Sequence, residues 1–141
     1  MAITFKGGIH PPENKHCSEK KAIEVLAVPE IVYILLSQHV GAPAKPIVKK
    51  GDCVKMGKKI GEAGGFISAN IHSPVSGTIK SIDDVPSFMG GFSNAIIIEN
   101  DGNDEFCDEM KSNRDWKNLP PDDIPKIAKE AGIVGMGGAM F

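Results

Sequence analysis

The chain lacks most of the residues that reveal a chemistry directly. Among 141 residues there are 3 cysteines, 1 tryptophan and 1 tyrosine, and aromatics make up 6%. Cys17, Cys53 and Cys107 are far apart and no C-x-x-C pair occurs, so the sequence offers no zinc or iron–sulfur framework. Each thiol is expected to be buried or half-buried, with Cys53, beside Asp52 in a turn, the candidate for exposure. Sparse aromatics argue against a surface that stacks on nucleic-acid bases. The formal net charge of −2 gives no global pull toward polyanions. No apolar run approaches the ~20 residues that cross a bilayer. The N-terminus, MAITFKGGIHPPENKH, lacks the apolar segment and cleavage site of a secretory signal, which places the expected location in the cytoplasm.

The histidines are as uninformative. His10 has no carboxylate or thiol placed to join it as a ligand. His16 and Cys17 are adjacent, and successive side chains of an extended chain point to opposite faces. No metal site and no catalytic residue is therefore expected. His39 and His72 are read as hydrogen-bonding residues at the mouth of the fold.

What the chain does have is a stretch rich in glycine corners, Pro46 to Ile82: PIVKKGDCVKMGKKIGEAGGFISANIHSPVSGTIKSI. Short Val- and Ile-containing segments alternate with Gly51, Gly57, Gly64-Gly65 and Gly77. Glycine supplies turn conformations that a Cβ forbids, and the segments between read as short strands of a curled β-structure. A V-x-x-G-D-x-V-x-x-G-x-x-I half followed by a P-V-x-G-x-I half resembles the barrel-sandwich hybrid fold of biotinyl and lipoyl carrier domains. In those domains the modified lysine stands eleven positions before the glycine of P-V-x-G; here that position is Phe66. The nearest lysines, Lys58 and Lys59, fall on the preceding turn and strand. The resemblance thus implies the carrier fold without a covalent cofactor.

Around this centre the reading divides the chain into four parts: an irregular lead-in at 1–21, a barrel-sandwich domain at 22–102, a polar linker at 103–121, and a helix with a glycine-rich loop at 122–141. Ala22 to Ala27 alternates and predicts a strand with Ile23 and Val25 on one face. Ile31 to Leu36 predicts a buried strand. Asp83 to Gly91 predicts a loop, and Ala95 to Glu99 a strand that closes the sheet. The span from Lys45 to Lys59 holds six lysines against the single acid Asp52. Its default reading is a solvated face; Lys49, Lys50 and Lys55 are the candidates for docking to an acidic partner.

Near the C-terminus, Asp122 or Asp123 can cap a helix, Pro125 suits a first turn, and Ile124, Ile127, Ala128 and Ala131 fall at helical spacing. The spacing predicts a helix over Asp123 to Ala131, ended by Gly132. Gly135, Gly137 and Gly138 follow. Glycines this dense let backbone N–H groups approach a phosphate or a flat cofactor, but a working loop needs a strand and helix around it. The expectation is an incomplete flavin or NADH loop at the edge of a further domain.

Taken together, FKGGIHPPENK, LSQHVGAPAKPIVKKGDCVKMGKKIGEA, ISANIHSPVSGTIKSI and GIVGMGGAMF resemble the N-terminal part of the RnfC subunit of the Rnf (Rsx) electron-transport complexes. The glycine loop also resembles the flavin-binding loop of the NADH-oxidising subunit of respiratory complex I, with Met136 where an arginine commonly sits. The resemblance implies a complex that couples electron flow between ferredoxin and NAD to ion pumping. It implies FMN, NADH and two 4Fe-4S clusters for the whole subunit, and none of these for the present stretch. It implies other Rnf subunits as partners, and a peripheral place on the inner face of the membrane without a transmembrane segment of its own. Alternative readings are the equivalent domain of a sodium-pumping NADH:quinone oxidoreductase or of a soluble related protein, or a carrier or adaptor module without covalent cofactor.

Overall fold

A computed structural model describes residues 11–88, 90–111 and 116–138. His10, most of the lead-in motif and the final three residues of the glycine-rich end lie outside the described residues.

Among the described residues, seven strands form two antiparallel sheets. The strands are β1 (Ile31–Leu35), β2 (Lys45–Pro46), β3 (Cys53–Val54), β4 (Lys59–Glu62), β5 (Ile71–His72), β6 (Gly77–Pro86) and β7 (Phe92–Asn100). One sheet runs in the order β1-β7-β6-β3, the other β2-β4-β5. Strands β2 to β5 are short because glycine corners interrupt them: Gly51 and Gly57 adopt φ of 90° and 83°, in or beside the left-handed region where a Cβ is costly. Two register shifts bend the strands. One lies between Ile79 and Ser81 of β6, the other between Lys59 and Gly61 of β4. Each leaves one residue without a ladder partner and increases local twist, so the sheets curl toward each other.

The core lies between them. Leu36, Val54, Ile60, Ile71, Ile79, Ile96 and Ile98 form one buried cluster with Ala44. Ile60, Ile96 and Ile98 are fully buried, and each such side chain contributes roughly 1.5–3 kcal/mol of hydrophobic stabilisation. Ala95 and Ile97, on the other face of β7, are buried as well, which explains why the run AIIIE lacks alternation.

The structure corrects several sequence expectations. Residues 22–28 form no strand; Ile23 is 98% and Val25 95% exposed. Alternation supplies propensity only, and a strand exists through a partner ladder, which this segment does not have among the described residues. The expected loop from Asp83 to Gly91 is shorter. β6 continues through Pro86, because Asp83, Asp84 and Val85 pair in register with Ala95, Asn94 and Ser93, and Ser87 N–H then donates to Gly91 O at 3.0 Å. The expected strand at Ala95 to Glu99 lies within β7, an inner strand between β1 and β6. Of the thiols, Cys107 is buried, and Cys17 is exposed along with Cys53.

The polar 103–111 segment is attached to the sheets. Phe106 bridges Met56, with Met56 N–H donating to Glu105 O at 2.8 Å and Cys107 N–H to Met56 O at 2.9 Å. The last element, α1 (Ile124–Glu130), follows a 3-10 turn at Pro121–Asp123. The expected Asp123 occupies the N-cap position without a side-chain cap bond; its carboxylate instead accepts from Lys126 Nζ at 2.8 Å.

Candidate functional site

The end of α1 is where the structure brings distant residues together. The helix closes in a Schellman motif. Gly132 N–H donates to Lys129 O at 3.1 Å and Ile133 N–H to Ala128 O at 3.0 Å, with Gly132 at φ 68°, the pairing that satisfies the last helical carbonyls. The expected C′ glycine is thus in place. It has a second role, because a Cβ there would collide with the carbonyl oxygen of Asn70.

Side chains complete the attachment. Lys59 Nζ, on β4, donates to Glu130 Oε1 at 2.6 Å. Asn70 Nδ2 lies 3.1 Å from Glu130 Oε2 and 3.3 Å from Glu130 O, and Asn70 Oδ1 accepts from Ala63 N–H at 3.0 Å. Asn70 is itself buried, so both ends of its amide are satisfied, as burial requires. The hydrogen bond from Lys59 holds the Glu130 carboxyl below its usual pKa, and the same bond raises that of Lys59.

Beside this latch lies a cavity of about 440 Å³ lined by Gly57, Lys59, His72, Met110, Ile127 and Glu130, among others. Half-buried His72 faces Glu130 and Lys59, and burial lowers its pKa. His39 does hydrogen-bond, its Nδ1 lying 3.0 Å from Val40 O.

The residues singled out in the sequence are not gathered at one place. Gly135, Gly137 and Gly138 are exposed. A Cβ at Gly137 or Gly138 would meet nothing within 4 Å, so no other part of the described chain closes a cradle over them. Phe66 stands on the β4–β5 connection, 95% exposed. Lys49 and Lys50 are exposed on the turn closed by Asp52, whose carboxylate accepts from Lys49 N–H at 2.9 Å. Lys55 is engaged by Glu105 at 3.1 Å. Among the described residues no group of three or more His, Cys, Asp and Glu could hold a metal, and no helix is long and apolar enough to cross a membrane. The Glu130–Asn70–Lys59 latch has no signal in the sequence; its members are 60 and 71 residues apart.

Two curled sheets around one core, with glycine corners between the strands, define a barrel-sandwich domain. The profile of the RnfC barrel sandwich hybrid domain matches residues 3–103, and the chain belongs to that family. It is 44% identical over 141 residues to the C subunit of the proton-translocating ferredoxin:NAD(+) oxidoreductase complex of Clostridium ljungdahlii. It is 41% identical over 138 residues to the C subunit of the Na(+)-translocating ferredoxin:NAD(+) oxidoreductase complex of Acetobacterium woodii. Over 143 aligned positions it is 39% identical to the C subunit of the ion-translocating oxidoreductase complex of Rhodobacter capsulatus. The matches cover 98–100% of this chain but 31%, 31% and 27% of those relatives.

Proposed function

We propose that the chain is the N-terminal scaffold domain of the RnfC subunit of an ion-translocating ferredoxin:NAD oxidoreductase, and that these 141 residues catalyse nothing themselves. The observation that carries this reading is the latch. The barrel grips the end of α1 through Lys59, Asn70 and the close approach at Gly132. The glycine-rich segment from Gly132 to Gly138 therefore leaves the barrel from a fixed point and in a fixed direction. A scaffold that sets this exit positions whatever is built on the glycines.

In the whole subunit, FMN, NADH and two 4Fe-4S clusters would supply the redox chemistry, while the protein supplies position and electrostatics. The other subunits of the complex are its partners, ferredoxin and NAD are reached through the complex, and the protein sits peripherally on the inner face of the membrane. The division into a lead-in at 1–21, a barrel at 22–102, a linker at 103–121 and the start of a nucleotide-binding domain at 122–141 belongs to the same proposal.

Binding of FMN and NADH, followed by flavin fluorescence and calorimetry, tests it on two proteins: this chain, and a version continued with the remainder of a homologous RnfC protein. Binding by the longer protein alone is the expected result. Micromolar flavin binding by the short chain would put a cofactor site in the barrel and overturn the scaffold reading.

A further inference from the structure

The hairpin tip at Phe66 is built more firmly than its exposure demands. Segment 63–69 is stitched to segment 40–44. Ala42 N–H donates to Ile67 O at 2.9 Å, Ser68 Oγ donates to Ala42 O at 2.8 Å, and Gly64 N–H donates to Ser68 Oγ at 2.9 Å. Two glycines let the backbones close: a Cβ at Gly41 would strike Ile67 O, and one at Gly64 would strike Pro43 O. This rigid double loop presents Phe66 at 95% exposure, with Val40 at 59% and Ile67 at 43%. Neither segment contains a charged residue, although the chain has 16 basic and 18 acidic ones.

We propose that this double loop is an interaction surface whose anchor, the Phe66 ring, inserts into an apolar pocket on a partner protein of the same complex. An aromatic side chain held out by fixed backbone loses little conformational freedom on binding, which is why such residues dominate interface energetics. Three features select the occupant. A tip without Lys or Arg lacks the attraction to anionic lipid that peripheral membrane anchors use. A second copy would bring the same small tip, and two such tips fall far below the ~1,200 Å² that a stable interface buries. The relatives carry names that make them subunits of complexes, so a neighbouring subunit is the occupant of the right kind. The inference rests on the reading of the chain as part of such a complex. It adds that the position where carrier domains display a lysine serves here as a docking anchor.

The test uses the full-length protein in its native membrane. Phe66→p-benzoylphenylalanine is introduced, the membranes are irradiated, and the complex is purified and mapped by mass spectrometry. Crosslinks to apolar residues of one other subunit are expected. Crosslinks to lipid, to a second copy or to nothing, in a protein that still co-purifies with the complex, overturn the anchor and leave the scaffold reading standing. A wild-type protein that does not co-purify overturns both. In parallel, Phe66→Ser is expected to lower retention in the complex about tenfold with an unchanged melting temperature. Equal retention counts against the anchor.

Discussion

The Glu130 carboxylate meets the Lys59 ammonium at 2.6 Å across 71 residues of sequence, and with Asn70 it fastens the C-terminal helix to the barrel. The pair is part-exposed, Lys59 at 30% and Glu130 at 64%, so its contribution is modest and screened by salt. Its effect is local: it fixes where α1 ends.

The latch should loosen in acid, in two steps. Burial lowers the pKa of His72 below 6.5. As pH falls through 6.5 the unfolded chain takes up this proton first, and stability declines until the folded His72 also titrates. Glu130, lowered from 4.5, contributes stability that is present above that value and is lost as pH falls through its folded pKa. The protection of the Ile133 and Gly132 amides relative to their intrinsic exchange rates, followed from pH 7 to pH 3, should fall over both windows. His72→Gln should flatten the upper step and Glu130→Gln the lower. An unchanged profile in both variants would separate the latch from these groups.

Gly132→Ala should undock the helix end. The position has φ 68°, which costs a residue with a Cβ about 1–2 kcal/mol, and the added methyl would strike Asn70 O. The expected result is a lower melting temperature together with loss of the Ile133 to Ala128 amide protection. Gly138→Ala, at a left-handed position with open space around it, carries the backbone cost alone and should leave that protection intact.

These two glycines show what local sequence conveys. Gly51, Gly57 and Gly132 are legible as corners because a positive φ is a property of one residue. The apolar run at 95–98 is legible because burial needs only composition, whereas Ile31–Leu35, expected to be a buried strand, lies at the sheet edge half-buried, with Tyr33 56% exposed. Pairing is not legible. Ile23 and Val25 have a strand pattern without a partner among the described residues, whereas Asp83, Asp84 and Pro86 have poor strand chemistry and are held in β6 by β7, with Asn94 Nδ2 donating to Asp84 Oδ1 at 3.2 Å. The lysine-rich span reads as uniform, yet Glu105 and Glu130 arrive from outside it to pair with Lys55 and Lys59. No local pattern encodes a contact made from so far along the chain.

Core and tip should respond to truncation in opposite ways. Ile96→Ala removes a fully buried side chain and should cost about 2–5 kcal/mol by loss of burial and cavity formation. Phe66→Ser, at the exposed aromatic position on the β4–β5 connection, should change stability by no more than about 0.5 kcal/mol. Urea denaturation of the two variants provides the comparison. A large loss from the tip substitution would mean that Phe66 supports the fold and would remove the reason to assign it to a partner.

The lysine face makes a separate prediction. Lys49 and Lys50 stand exposed on the turn, while Lys55 already pairs with Glu105, a bond that raises its pKa. If the face docks to an acidic partner, Lys49→Glu with Lys50→Glu should weaken assembly at low salt. Lys55→Glu should first show its effect within the chain, because it sets a carboxylate against Glu105 and disturbs the segment carrying Phe106 and Cys107. Exposed charges act over a screening length of ~10 Å at 0.1 M salt, so the loss from the double variant should fade as salt rises. Retention of the protein in the complex across a salt series distinguishes the cases. A loss that persists at high salt would point to misfolding, and no loss at low salt would leave Lys49 and Lys50 as a solvated surface.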